Sequence, residues 1–217
     1  KQFQMKLIKF IAIAIFAAMT ANASAQLTKD TQGWTRLELS FEAQKLKYKD
    51  GSITWDSEEK QKGVSLAFMK GVNITSKMPL FLDLGARLSW LHSKDEFEGG
   101  DSKTTFMNVA VPVNAAYKLS FASSPISIVP FFGPNFKFNF YGRTKETVGD
   151  EEIKTKWLDK DGMDARIFQF GLNLGVGVNI QRFYVGYNFQ PDISSYVKDG
   201  DQKLKTINNF ISLGVNF

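Results

Sequence analysis

The sequence predicts an all-β fold, an eight-stranded antiparallel up-and-down barrel that crosses a membrane. Apolar residues alternate with small or polar ones at the period of two that a strand imposes, and the alternation returns about eight times along the 217 residues. The connections between these segments alternate long and short. The N-terminus reads as an export signal.

That signal has a basic start at Lys6 and Lys9, an apolar run from Phe10 to Met19, and an A-x-A site at Ala23-Ser24-Ala25. Ten apolar residues are too few for a spanning helix, which needs roughly 20. The expected division is a signal peptide over 1–25, a short periplasmic segment over 26–33 and a barrel over 34–217, with Met5 as the natural start. Lys1 to Gln4 have no account. Cleavage removes three lysines and no acid, leaving 27 − 3 = 24 basic residues against 22 acidic ones. A surplus of about two charges gives no footprint for nucleic acid. The absence of cysteine excludes a disulfide framework, thiolate metal sites, a cysteine nucleophile and a lipid-modified N-terminal cysteine.

The first strand starts near Trp34, with Leu37, Leu39, Phe41 and Ala43 on one face and Arg36, Glu38, Ser40, Glu42 and Gln44 on the other. The second carries Val64, Leu66, Phe68, Val72 and Ile74 outward, and Lys70 on that face predicts a bulge or a shifted register. In the third, Leu80 to Trp90 alternates against Phe81, Asp83, Gly85, Arg87 and Ser89. The fourth runs from Met107 to Phe121, placing Asn108, Pro112, Asn114 and Lys118 inward. Pro130 and Pro134 in the fifth strand and Pro112 in its partner predict a local kink or bulge, because proline gives no donor to a ladder. The sixth strand, Phe168 to Ile180, alternates without a fault, with Gly171, Gly175 and Gly177 leaving room on the crowded inner face. Phe183 to Gln190 and the closing strand, Ile207 to Phe217, complete the set. Long loops are expected at Lys47–Gln61, Ser93–Lys103, Arg143–Ala165 and Pro191–Leu204, and short turns at Ser76–Pro79, Ala122–Pro125 and Gln181–Arg182. Membrane barrels show that asymmetry. Trp34, Trp90, Tyr117, Phe121, Tyr141 and Tyr187 sit near strand ends, where interface girdles lie.

A soluble lipocalin-type barrel is the alternative fold, with Gly33-Trp34 as a faint echo of its G-x-W signature. Against it stand an inner face rich in Gly and Asn, loops of alternating length, and a chain that ends at its last strand.

The cleavage region Ala23-Ser24-Ala25/Gln26, the sixth strand FGLNLGVGVNI (Phe170 to Ile180) and the ending ISLGVNF (Ile211 to Phe217) resemble the small bacterial outer-membrane β-barrel proteins. The resemblance is to the PorT-like barrels common in Bacteroidetes, of the OmpX/OmpA-type eight-stranded plan. It covers essentially the whole mature chain. It implies the outer membrane of a Gram-negative bacterium, with both termini periplasmic, and contact with outer-membrane lipid and lipopolysaccharide. It also implies recognition by the barrel-insertion machinery through the strand ending in Phe217. Members of that family include secretion-machinery subunits, porin-like proteins and adhesins, so secretion-complex proteins are partners to test.

Eight strands enclose a space just wide enough to be filled by side chains. Arg36, Glu38, Glu42, Asp83, Arg87, Lys118 and Lys137 are expected to form a paired structural network there, since an unpaired buried charge costs several kcal/mol. A narrow ion path is the other use for such a set. His92, the only histidine, precedes Ser93, Asp95 and Glu96, and it invites comparison with lipid-A-modifying barrel enzymes. A general base needs a positioned partner, and a histidine beside a serine in a polar segment is commonplace. Asp159 to Asp164 fails the EF-hand frame, because Trp157 and Phe168 would occupy its first and last ligand positions. Gly171, Gly175 and Gly177 lack the spacing and following helix of a phosphate loop. The reading is a non-enzymatic barrel with no cofactor, no metal and no catalytic residue, structural or partner-binding through its long loops or periplasmic rim.

Overall fold

A computed structural model describes residues 27–28, 30–50, 53–97, 99–122, 124–149, 151–159, 164–197 and 202–217. The expected signal peptide, residues 1–25, lies outside them. Eleven strands follow in order: β1 (Leu27–Thr28), β2 (Trp34–Asp50), β3 (Ile53–Asn73), β4 (Leu80–Phe97), β5 (Gly100–Tyr117), β6 (Leu119–Phe121), β7 (Ile126–Val148), β8 (Glu151–Lys156), β9 (Phe168–Ile180), β10 (Phe183–Pro191) and β11 (Gln202–Asn216).

Eight of them pair antiparallel in sequence order as a ring, β2-β3-β4-β5-β7-β9-β10-β11, and β11 pairs back onto β2. The seams are unequal. The β9–β10 ladder ends at Leu174–Phe189, whereas β2–β3 runs on to Asp50–Ile53. β1 adds to β6, and β8 adds to β7.

Register fixes the girth. One row of paired residues runs Phe132, Leu174, Phe189, Asn209, Ala43, Lys62, His92, Thr105 and Arg143, returning to β7 143 − 132 = 11 residues further on. One of these is Phe140, the extra residue of a bulge where Met107 faces Tyr141 and Asn108 faces Asn139. A net offset of about ten residues at roughly 3.3 Å each, across eight strands roughly 4.8 Å apart, gives a tilt of about 40° and a radius of about 8 Å.

Alternation places the apolar set outside. Leu37, Leu39, Phe41, Val64, Leu66, Phe68, Leu88 and Leu213 are all exposed, forming a belt around the barrel. Trp90, Tyr117 and Tyr141 are exposed at its margins, but Trp34 points inward and is buried, so it belongs to the core and not to a girdle. Lys70 stays in register opposite Thr35 and Leu84, without a bulge. It lies near the turn end of β3, where its aliphatic stem can lie along the belt with its ammonium in water. The β3 irregularity is elsewhere, between Lys45 and Lys47 of its partner. Beside Pro112 and Pro134 the ladders are interrupted without a register change, β4–β5 pairing skipping Gly85–Ala86 opposite Val111–Pro112 and β5–β7 pairing skipping Val113–Asn114 opposite Gly133–Pro134, while β7–β9 pairs continuously through Pro130 and Pro134.

The expected long loops are largely strand. β2 and β3 continue to Asp50 and Ile53, β4 and β5 to Phe97 and Gly100, and β7 turns at Val148 into β8. This hairpin end carries a four-stranded extension, β4-β5-β7-β8. The other, turn end has short links at 74–79, 122–125 and Gln181–Arg182.

Some glycines are demanded by close approach. A Cβ on Gly63 would stand 1.9 Å from the Trp90 carbonyl oxygen, and one on Gly177 would stand 2.2 Å from the Tyr184 ring. Gly63→Ala is therefore expected to force β3 from β4 and cost about 1–3 kcal/mol. Ser65→Ala, two residues on and facing the same lumen with a buried hydroxyl that has no partner, is expected to be neutral or slightly stabilising. Urea titration of the lipid-refolded protein, read by the folded and unfolded bands on a cold gel, checks both.

Candidate functional site

The lumen is filled in layers. At the turn end Trp34, Phe81, Ala116, Val129 and Phe131 form an apolar cluster, with the Trp34 and Phe81 rings 4.6 Å apart. At the hairpin end Leu46, Leu91, Phe106, Trp157, Ala165, Tyr196 and Leu204 form another. Its three rings meet as a triangle with centroids 5.5 to 5.8 Å apart. Trp157 is held by its indole N–H to Thr144 (2.7 Å) and its backbone N–H to Gly142 (2.9 Å).

The charged layer lies between. Arg36 Nε donates to Glu38 at 2.6 Å, and Arg87 Nη2 donates to the other Glu38 oxygen at 2.8 Å. Asp83 accepts from the Trp34 indole at 2.9 Å and lies 3.6 Å from Arg36. The Arg36 guanidinium rests 3.8 Å from the Tyr184 ring centre and that of Arg87 4.3 Å from Phe210, so each cation has both carboxylate and π-face partners. Nearer the hairpin end Lys137 donates to Asp192 at 2.7 Å and to Thr206 at 3.2 Å, while Thr206 also donates to Asp192. Amides bridge the rest: Gln190 to Asn173 (2.9 Å) and Asn173 to Asn114 (2.8 Å).

Arg36, Glu38, Glu42, Asp83, Arg87 and Lys137 thus line the lumen. Lys118 does not. β5 ends at Tyr117, and the Lys118 side chain reaches Asp30 at 2.6 Å and the Gln32 carbonyl at 3.3 Å, at the turn-end mouth outside the apolar cluster. Glu42 is buried with no cation in ion-pair contact among the described residues. Asp192, read as loop, is the partner that the sequence left out for Lys137. Phe106, Trp157 and Tyr196 were missed as the hairpin-end stopper. The inward parity of Phe106, two residues before Asn108, was the available signal.

At the mouth a cavity of about 440 Å³ is lined by Asp30, Lys118, Arg182, Asn179, Asn216 and Phe217 among others. His92 is exposed on the outer face and its Nδ1 lies 3.2 Å from the Thr105 hydroxyl. Ser93 is buried on the lumen side, so the two point away from each other across the sheet. Lys160 to Met163 of the calcium-like run lie outside the described residues.

The outer face of the extension carries ordered charge. Lys94 pairs with Glu96 at 2.5 Å, Lys103 with Asp101 at 2.8 Å, and Glu152 takes both Lys145 (2.5 Å) and Lys154. Hydrogen bonds from Lys145 and then Lys154 pull the Glu152 carboxyl down from its ordinary 4.5 to about 2. A depressed carboxyl stabilises the fold above its unfolded value and ceases to do so as pH falls through the folded one, so this clamp holds above about 4.5 and is lost towards about 2.

Two measurements check these assignments. Glu38→Gln strips both arginines of their shared anion and is expected to cost about 3–5 kcal/mol in urea titration, whereas Lys118→Gln at the solvated rim should cost about 0–1 kcal/mol. In NMR titration the Glu152 carboxyl is expected to titrate near 2, moving to the ordinary carboxylate range in the Lys145→Gln/Lys154→Gln variant.

Ail, the attachment invasion locus protein of Yersinia pestis, aligns at 11% identity and a TM-score of 0.42 over 84% of this chain and 98% of its own. OprG from Pseudomonas aeruginosa aligns at 9% and 0.44 over 88% and 99%, and Neisserial surface protein A at 15% and 0.38 over 83% and 95%. Likeness at this level transfers no ligand or activity. No curated protein sequence matches the chain. The family described as outer membrane protein beta-barrel domain matches residues 11–217. The chain belongs to that family and is a small β-barrel of the outer membrane.

Proposed function

We propose that this is a closed, non-enzymatic barrel whose role is structural or partner-binding, exerted through the strand extensions of its hairpin end. The observation that carries this reading is the pair of apolar clusters that stopper the lumen on either side of the charged layer. Water and ions need a continuous polar path, and two shells of packed aromatic and aliphatic side chains interrupt one. Binding is left to surfaces, as is usual for loops carried on a rigid scaffold. The alternation of connection lengths supports placing the hairpin end outside the cell and the turn end, with both termini, in the periplasm. An enzymatic role through His92 has little support, because its ring is served by Thr105 while Ser93 faces the lumen.

A second reading has its own observation. The turn-end cavity, bordered by the Lys118–Asp30 pair and Arg182, offers a polar recess at the periplasmic rim. Together with the resemblance to PorT-like barrels of Bacteroidetes, it supports a subunit of a secretion or envelope-assembly complex.

Two measurements test these readings. Planar-bilayer recordings of the refolded protein are expected to show no steady conductance, and a stable ohmic channel would end the closed-barrel reading. Photo-crosslinkers placed in cells at Thr147 and Ile153, and separately at Gln181 and Arg182, are expected to capture partners from the first pair. Capture of a discrete large complex from the second pair alone transfers the role to the periplasmic rim.

A further inference from the structure

Unmet polar groups concentrate in one part of the lumen, around Glu42. On β2 this residue faces Gly63 of β3 and Phe210 of β11. Two residues nearer the hairpin end Gln44 faces Gln61 and Asn208, and two nearer the turn end Ser40 faces Ser65. Among the described residues fourteen buried side-chain atoms lack a hydrogen-bond partner, and six of them lie on this patch of three neighbouring strands. They are Glu42 Oε2, Gln44 Nε2, Gln61 Oε1, Ser65 Oγ and both amide atoms of Asn208. Buried polar atoms are as a rule satisfied, so a cluster of six on adjacent strands calls for a shared guest.

Hydrogen bonding alone does not answer Glu42. The Ser89 hydroxyl bonds its carboxylate, which serves an oxygen and leaves the charge. Arg87 and Lys137 are the cations within electrostatic reach, and both are committed. Arg87 pairs with Glu38 at 2.8 Å and rests 4.3 Å from the Phe210 ring centre, while Lys137 pairs with Asp192 at 2.7 Å. Four buried carboxylates against three buried cations leave 4 − 3 = 1 unit of negative charge among the described residues of the lumen. A charge kept from water is costly unless an opposite charge meets it. On the hairpin side the apolar cluster begins at once, with Leu46 two residues beyond Gln44 and Leu91 paired with Gly63.

The donor set limits what can meet that charge. Glu42 Oε2, Gln61 Oε1 and Asn208 Oδ1 are hard oxygens, which suit a hard cation. Calcium sites draw on several carboxylates, whereas here there is one, and no group of three acidic, histidine or cysteine side chains that could hold a metal occurs among the described residues. A single unit of charge matches a single monovalent ion.

We infer that the lumen holds one alkali cation, Na⁺ or K⁺, on Glu42, Gln61 and Asn208, with water completing its shell and accepting from Gln44. The inference goes beyond the closed-barrel reading. Its test reads stability and not conductance, so the two can fail separately.

Unfolding equilibria provide that test. The lipid-refolded barrel is titrated with urea at mildly alkaline pH in NaCl or KCl, with N-methylglucamine chloride holding the ionic strength constant. An ion bound by the folded state alone lowers the unfolding constant in proportion to its concentration once the site is filled, so each tenfold rise should shift the wild-type constant about tenfold. The larger of the two salt responses names the ion. Glu42→Gln keeps the shape, removes the charge and is expected to respond to neither salt. Gln61→Met removes a ligand oxygen at similar length and should need more of the ion for the same shift, and a cold gel confirms that each variant folds. Glu96→Gln, at an exposed carboxylate, should keep the wild-type response. A flat wild type overturns the inference, and so does a response that Glu42→Gln shares or that Gln61→Met leaves unchanged. If the wild type is flat and instead loses stability as pH rises, a loss that Glu42→Gln removes, the charge is met by a proton and the cation site is ruled out.

Discussion

The ring of eight strands with its ten-residue offset is the constraint on which the rest depends. It sets a radius of about 8 Å, and inward side chains then meet across the axis. What points inward must pack, pair or be glycine. That is why Tyr184 lies over Gly177 and Phe131 over Gly175. It is also why Arg36 and Arg87 are sandwiched between a shared carboxylate and an aromatic face. A wider ring would have let the same residues line a water-filled channel.

Within this frame the lumen behaves as a core turned inside out. Its middle is ionic and its two ends are apolar, whereas a soluble domain buries the apolar part and wets the ions. The stoppers make the ionic layer more costly to disturb, because they keep water from reaching a charge that has lost its partner. Glu38, which serves two arginines, is the member whose loss leaves most behind. Glu42 departs from the pattern, since among the described residues four buried carboxylates (Glu38, Glu42, Asp83, Asp192) face three buried cations (Arg36, Arg87, Lys137) and Glu42 is the one with no cation in ion-pair contact.

Much of this was legible in the sequence wherever one face was apolar. The strands and the inward set from Arg36 to Lys137 follow from a period of two. Legibility failed where both faces turned polar. In RTKETV and EEIKTK alternation has nothing to contrast, so the end of β7 and all of β8 passed for loop, although the backbone ladder continues whatever the side chains are. Lys118 was misplaced for the opposite reason: the period was carried past Tyr117 to Phe121, whereas the strand ends at Tyr117 and the Lys118 side chain reaches Asp30. Asp192 and Tyr196 were hidden because a chain that folds back over a barrel mouth reads as a polar connection. Only the positions of Lys137 and Phe106 give such residues their partners.

The same register argument separates two kinds of charge that composition merges. Charged groups inside the barrel are few, all but Glu42 committed to a named partner of opposite charge, and serve to hold strands in place. Those outside are many and meet across strands as like with like. An exposed edge such as β8 gains protection from charge of either sign, so that need alone would be met by mixed signs in any order.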